Sequence, residues 1–315
     1  MTFSKRISGP KSGLKLAASV GIGAVQELRC KLHMKRPVRS PFQIARQVAQ
    51  SVVPRKSYTL LANAINWSYA VRRLGLKQSL RLWHMRLPDM SYREKALVEV
   101  TAPNLAYPLY VRPGTSDVRG VLYTVARETY AEYLPKGEVK YILDAGANLG
   151  DTAAWFLTRF PEAQVVAVEP DPENFAILRR NAAPYGNRLH PVLAAVWPES
   201  AQLSLQGDGV KDAVEVVAST TGDCAGLTIP QLMEQFGIPR LDILKIDIES
   251  AELALFSIDS DPWLSRTQFI VIEIHGPECQ KAVVDATSRH GFTHRIFRDL
   301  HIFERPGQEA IQSIG

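Results

Sequence analysis

From residue 138 to residue 305, short apolar runs alternate with stretches whose apolar positions recur at helical spacing. The runs near 140–144, 164–168, 189–194, 241–247, 269–274, 292–297 and 301–304 are rich in Val, Ile, Leu and Phe and predict seven strands. The stretches near 149–159, 173–183, 228–236, 250–257 and 277–290 predict helices. Strand and helix in alternation imply an α/β fold, a doubly wound and mostly parallel seven-stranded sheet with helices on both faces. Only Arg298, Asp299 and Leu300 separate the last two runs. So short a connection makes a hairpin, which predicts one antiparallel strand at an edge of the sheet.

Upstream the pattern is less regular. Tyr58–Leu76 carries apolar residues at roughly helical spacing and is followed by Leu80, Leu82 and Trp83, which predicts one or two amphipathic helices. Such a stretch either packs its apolar face on the main body or lies on a membrane surface. Short strands are expected at 97–101 and 108–111, then a helix over 120–134. Residues 1–56, broken by Gly9-Pro10, Arg36-Pro37 and Pro41, read as a poorly ordered tail. The expected organisation is a basic arm over 1–86, a lead-in over 87–135 and the main domain over 136–315.

Charge sharpens that division. Residues 1–86 hold 17 Lys and Arg against the single acid Glu27, a balance of +16, while residues 87–315 carry −11. A basic arm on an acidic body suits contact with nucleic acid, an anionic membrane surface or an acidic partner. No apolar run is long enough to span a bilayer, and 16–25, though of signal-peptide length, lacks a convincing cleavage site. Cys30, Cys224 and Cys279 lie far apart, which excludes a disulfide scaffold or a cysteine zinc site and fits a reducing, cytoplasmic setting.

Two strand ends carry candidate chemistry. The run 141–152 (YILDAGANLGDT) is a buried strand ending in a glycine loop that opens a helix. Asn148 stands where a dinucleotide fingerprint needs its middle glycine, and no Lys follows Gly150 as in a phosphate loop. An acid followed by G-x-x-x-G suits a cofactor without phosphates, because Asp144 would repel a pyrophosphate but accept hydrogen bonds from an ammonium group. The plain alternative is a tight strand-to-helix turn. One strand later, Glu169 ends VVAVE, 25 residues after Asp144, where an acid can accept both hydroxyls of an adenosine ribose. Alternatively it serves the N-terminus of the following helix.

On the fourth strand of the alternation, Lys245, Asp247 and Glu249 share one face, since side chains alternate with period two. Ionisable groups aligned at the open end of a central strand either pair with one another or take part in chemistry. Glu273 and His275 stand two apart at the next strand end, again on one face. Asp247, Glu249 or His275 is therefore the candidate base, with Lys245 beside them. A metal held by Asp247, Glu249 and His275 is an alternative whose spacing is not diagnostic, and no metal is assigned.

These motifs, taken with Val111–Asp117 (VRPGTSD), 143–152, 168–175 (VEPDPENF), 244–252 (LKIDIESAE) and 271–275 (VIEIH), resemble class I S-adenosylmethionine-dependent methyltransferases, and among them the FkbM type. The resemblance covers roughly 109–305 and implies a Rossmann-like methyltransferase sheet. It implies S-adenosyl-L-methionine bound by Asp144, Gly146, Ala147, Asn148, Gly150, Thr152, Glu169, Pro170 and Asp171, with Ser116 and Asp117 folding over cofactor or substrate. The family usually has glycine where this chain has Ser250. The expected reaction is O-methylation of a hydroxyl on a small molecule, sugar or lipid-linked glycan. A catalytically silent cofactor-binding scaffold and a nucleic-acid-binding protein acting through the arm are the alternatives. Base methylation is disfavoured because Asp-Ile-Glu-Ser after strand four offers no aromatic to stack on a flipped base.

Overall fold

The computed structural model describes residues 55–85, 96–206, 215–219, 222–248 and 251–306. The tail up to residue 54 and the candidates Glu249 and Ser250 lie outside the described residues. Helices α1 (Arg55–Leu74) and α2 (Leu76–Met85) come first, broken at Gly75, whose φ of +79° no helix interior accepts. A two-stranded antiparallel ribbon of β1 (Val98–Val100) and β2 (Leu109–Val111) follows. The expected helix over 120–134 is instead a short turn α3 (Asp117–Gly120) running into a π-helical segment, Val121–Ala126. It ends there because Glu128 takes a left-handed φ of +50° and the Thr129 hydroxyl donates back to the Tyr123 carbonyl, 2.6 Å.

The main sheet has seven strands: β3 (Tyr141–Ala145), β4 (Gln164–Glu169), β5 (Leu189–Leu193), β10 (Ile243–Ile246), β11 (Phe269–Glu273), β12 (Thr293–Phe297) and β13 (Leu300–Glu304). Across the sheet they run β5-β4-β3-β10-β11-β13-β12. β13 pairs antiparallel with both β11 and β12, and the other pairings are parallel. The antiparallel strand is thus one place in from the edge. The helical crossover from β11 carries the chain past one strand position to β12, and the hairpin then fills the gap with β13.

Both faces of this sheet are covered, so its central strands are mostly apolar, with the buried Asp144 and Lys245 as charged exceptions. One face buries Ile142, Val165, Ala167, Ile243 and Val271 with Trp155 and Phe156 of α4 (Asp151–Arg159), Leu178 of α5 (Pro172–Ala182), the π segment and part of α2. The other buries Leu143, Val166, Leu244, Ile246 and Ile270 with α6 (Ile229–Gln235), α7 (Glu252–Ser257), α8 (Asp261–Leu264) and α9 (Pro277–Arg289).

The pattern reading did not anticipate a second, four-stranded sheet between β5 and α6. It comprises β6 (Ala195–Val196), β7 (Ala201–Gln206), β8 (Glu215–Ala218) and β9 (Cys224–Leu227), ordered β6-β9-β7-β8. Its strands are short, and among the described residues its buried core comprises Ala195, Leu203, Val216 and Cys224.

Candidate functional site

β3 leads on one side to β4, while β10 lies against its other edge, so the crevice beyond their carboxyl ends is the switch point of the sheet. Asp144 and Lys245 are direct cross-strand partners there, and Lys245 Nζ lies 3.1 Å from Asp144 Oδ1. The ammonium also donates to the Gly146 carbonyl at 2.7 Å and stands 3.9 Å from Asp247 Oδ2. Burial opposes the Lys245 charge, but Asp144 and Asp247 more than offset that and push its pKa up, so the ammonium stays protonated. Asp144 is fully buried behind it. The expected direct contact from Asp144 to a ligand ammonium is therefore replaced by this internal ion pair, because the aligned lysine reaches the carboxylate first.

The glycine loop is folded on itself. Gly146 and Ala147 N–H both donate to the Val168 carbonyl (3.0 and 2.9 Å), Asn148 N–H to Glu169 Oε2 (2.8 Å) and Gly150 N–H to the Ala147 carbonyl (2.8 Å). A phosphate-binding loop aims such N–H groups outward; here these four are spent internally. Gly146, at φ +78°, is required by the β10 side, since a Cβ there would lie 1.8 Å from the Asp247 carbonyl oxygen. Gly150, at φ +86°, makes room for Leu178 of α5.

Glu169 is the hinge of the second strand end. Its Oε1 accepts from Asp171 N–H (3.1 Å) and Asn174 Nδ2 (3.2 Å), and burial pushes its pKa up to about 6 against these donors. Asp171 caps α5 by accepting from Asn174 N–H at 2.8 Å, with Pro170 just before it, so the capping role falls to Asp171 and not to Glu169. Asn174 Oδ1 in turn accepts from Arg112 Nη2 (2.7 Å), whose guanidinium grips the fully buried Asp117 through Nε (3.0 Å) and Nη2 (2.7 Å). Asp117 therefore faces Arg112, and Ser116 makes no side-chain cap bond. Thr152 is buried, its hydroxyl 3.4 Å from the Thr124 hydroxyl of the π segment. Neighbouring Asp151 is also buried, and that burial pushes its pKa up to about 6.

At the next strand end, Asp247 is partly exposed, and Glu273, raised by burial and then by the Asp247 charge, stands on the adjacent strand. His275 Nδ1 meets Glu252 Oε1 at 2.7 Å. The Glu252 side chain is fully buried in the first turn of α7. The sequence reading missed Glu252 as a site residue, although it quoted the acid as the last position of LKIDIESAE. Tyr123 of the π segment closes the same edge, its hydroxyl pushed up to about 12 by burial and then by Asp299 and Glu273. Among the described residues, no three of His, Cys, Asp and Glu converge as metal donors.

The comparisons with known proteins give a family. The family described as "Methyltransferase FkbM domain" matches residues 144–300. The hexuronic acid methyltransferase AglP of Haloferax volcanii is 27% identical over 42% of this chain and 54% of its own length. The 31-O-demethyl-FK506 methyltransferase FkbM of Streptomyces tacrolimicus is 26% identical over 48% of this chain and 72% of its own. The antimetabolite synthetase AmbE of Pseudomonas aeruginosa is 24% identical over half of this chain but only 10% of its own length. The chain thus spans a tenth of AmbE and about half of AglP. A solved precorrin-6y C5,15-methyltransferase from Geobacter metallireducens superposes with a TM-score of 0.39 at 12% identity, over 57% of this chain and 88% of that one. That likeness is too slight to add weight. The family match and the ordered motifs at the strand ends place this chain, through residues 144–300, in the FkbM family of methyltransferases.

Proposed function

We propose that the chain is an S-adenosylmethionine-dependent O-methyltransferase whose acceptor is a hydroxyl on a small molecule, sugar or lipid-linked glycan. The observation that carries the reading is the inward-folded glycine loop beside Glu169. It offers no outward row of N–H groups to phosphates, and Asn148 Oδ1 is an acceptor without a donor among the described residues. A phosphate-free adenosine cofactor fits that donor-poor loop. Glu169 would hold the ribose, and the loop 146–150 would line the rest of the cofactor. When bound, that cofactor supplies an electrophilic methyl group on a sulfonium sulfur. The name of the 31-O-demethyl-FK506 enzyme supports an oxygen acceptor, and that of AglP supports a sugar acid as a substrate class.

The residues at β10 and β11 divide the remaining work. Lys245, tied to Gly146 and Asp144, fixes the spacing of β3 and β10 and so the loop's position. His275, its Nδ1–H donating to Glu252, holds the tautomer in which Nε2 is basic. A carboxylate behind an imidazole also stabilises the imidazolium that forms when the acceptor's proton is taken. Asp247 and Glu273 keep the local potential negative, which favours that cation.

Titration calorimetry with S-adenosylmethionine tests the first half. Glu169→Gln should weaken binding by about 1.5–3 kcal/mol, since one of the carboxylate's charged acceptor roles is lost. Unchanged affinity in that variant would remove the ribose assignment. Methyl transfer to a hydroxylated acceptor pool, read by mass spectrometry, tests the second half; cofactor binding without transfer to any acceptor favours the silent scaffold.

A further inference from the structure

Six of the ten large apolar side chains exposed among the described residues belong to α1 and α2: Ile65, Tyr69, Val71, Leu76, Leu80 and Trp83. Such concentration on one element pair marks an interaction surface. On α2 the order is strict. Ser79, Leu82 and Met85 are buried against the body, while Leu76, Leu80 and Trp83, spaced i, i+4, i+7, are 63%, 53% and 48% exposed in one stripe. Lys77, Arg81 and His84 form the neighbouring stripe, each shifted by one residue. Residues 55–85 contain no Asp or Glu.

We propose that α2, with the adjoining face of α1, docks in the plane of an anionic lipid surface, burying Leu76, Leu80 and Trp83 in the headgroup region. Lys77 and Arg81 would then lie at the level of the lipid phosphates. An apolar stripe edged by basic residues on a short helix is the pattern of an in-plane amphipathic helix. Charge selects lipid over the chain's own N-terminal segment as the occupant. Residues 1–54 hold ten Lys and Arg against Glu27, so they are repelled by the Lys77–Arg81 stripe and attracted by the same membrane. Tyr69, Arg72, Arg73, Arg127 and Glu128 line a cleft at α1; Glu128 pairs with Arg73 there, which leaves Arg72 as a basic group for a lipid phosphate. The pair is firmly mounted: Met85 carbonyl accepts from Gly114 N–H at 2.7 Å, and Arg127 Nη1 donates to Asn66 at 2.7 Å. Arg127 follows the π segment that carries Tyr123, so the docked helices are tethered to the edge of the candidate site.

The test is sedimentation of the full chain with vesicles of phosphatidylcholine alone, and with vesicles of equal parts phosphatidylcholine and phosphatidylglycerol. Binding is expected on the anionic vesicles only and should weaken as salt is raised. Leu80→Ser/Trp83→Ser should reduce it about tenfold or more. Because Trp83 also stacks on Trp67, with ring centroids 4.8 Å apart, Leu76→Ser/Leu80→Ser provides a variant that leaves this ring pair intact. Thermal unfolding and S-adenosylmethionine binding should stay unchanged in Leu76→Ser/Leu80→Ser, and vesicle binding is read whether or not the proposed methylation is correct. Undiminished pelleting of both variants would assign attachment to the N-terminal basic residues and overturn the proposal. Equal binding to neutral vesicles would do the same, as would a switch to dimers through this face with no vesicle binding.

Discussion

Arg112, just past β2, donates to Asn174 on α5 at 2.7 Å, and so ties the upstream segment to the residue that itself donates to Glu169. The same guanidinium makes two further bonds to the buried Asp117, whose Oδ2 also accepts from the Arg112 N–H at 2.8 Å. Two stretches 62 residues apart are thereby joined behind one carboxylate at the candidate cofactor site. Burial opposes the guanidinium's charge, but Asp117 more than restores it and raises its pKa.

Breaking that link should be costly. Arg112→Gln leaves Asp117 buried without its cation, which should lower stability by about 3–5 kcal/mol in a urea titration. Arg112→Met/Asp117→Leu removes both charges and should recover much of the loss. A double variant as unstable as the single one would refute the view that the uncompensated carboxylate is the cost.

The Glu252–His275 contact predicts a kinetic signature. His275→Asn should lower turnover by roughly 10²–10⁴-fold while leaving cofactor affinity intact. Glu252→Gln removes the charge that favours the imidazolium, so the rising limb of the pH–rate profile should move to lower pH. Normal turnover in His275→Asn would transfer the role of base to Asp247.

Gly146 allows a steric prediction with an internal control. An alanine there meets the Asp247 carbonyl and also adopts a left-handed φ, whereas Gly291, at φ +75°, has open space around its Cβ position. Gly291→Ala should cost about 1–2 kcal/mol from backbone strain alone. Gly146→Ala should cost about 1–3 kcal/mol more by denaturant titration, because the β10 end must move. Equal losses would show that the close approach is not needed.

Asp151 predicts a pH dependence. Burial raises its folded pKa to about 6, above its unfolded value, so the native state binds the extra proton. Linkage then requires its contribution to fall as pH rises from about 4 through 6, by about 3 kcal/mol in all. Asp151→Asn should therefore gain stability relative to the parent at pH 7, and the advantage should shrink towards pH 4. A stability difference constant across that range would show that Asp151 does not titrate in this way.

The sequence by itself determined the seven-strand alternation, the placement of Asp144, Glu169, Asp247 and His275 at strand ends, and the alignment of Lys245 with Asp247. These follow from local rules: buried parallel strands need unbroken apolar runs, and side chains on a strand alternate faces. Tertiary structure alone decided that β13 slips inside β12, because strand order depends on which gap a crossover leaves open. It decided that Lys245 is spent on Asp144, that Arg112 claims Asp117, and that Glu252 stands behind His275. Each is a contact between separate segments, and no period within one segment encodes it. The small sheet between β5 and α6 escaped for a related reason. Leu203 and Leu205 do alternate, but these strands mix in polar residues where the main sheet has continuous apolar runs, and so carry little pattern until they find their neighbours.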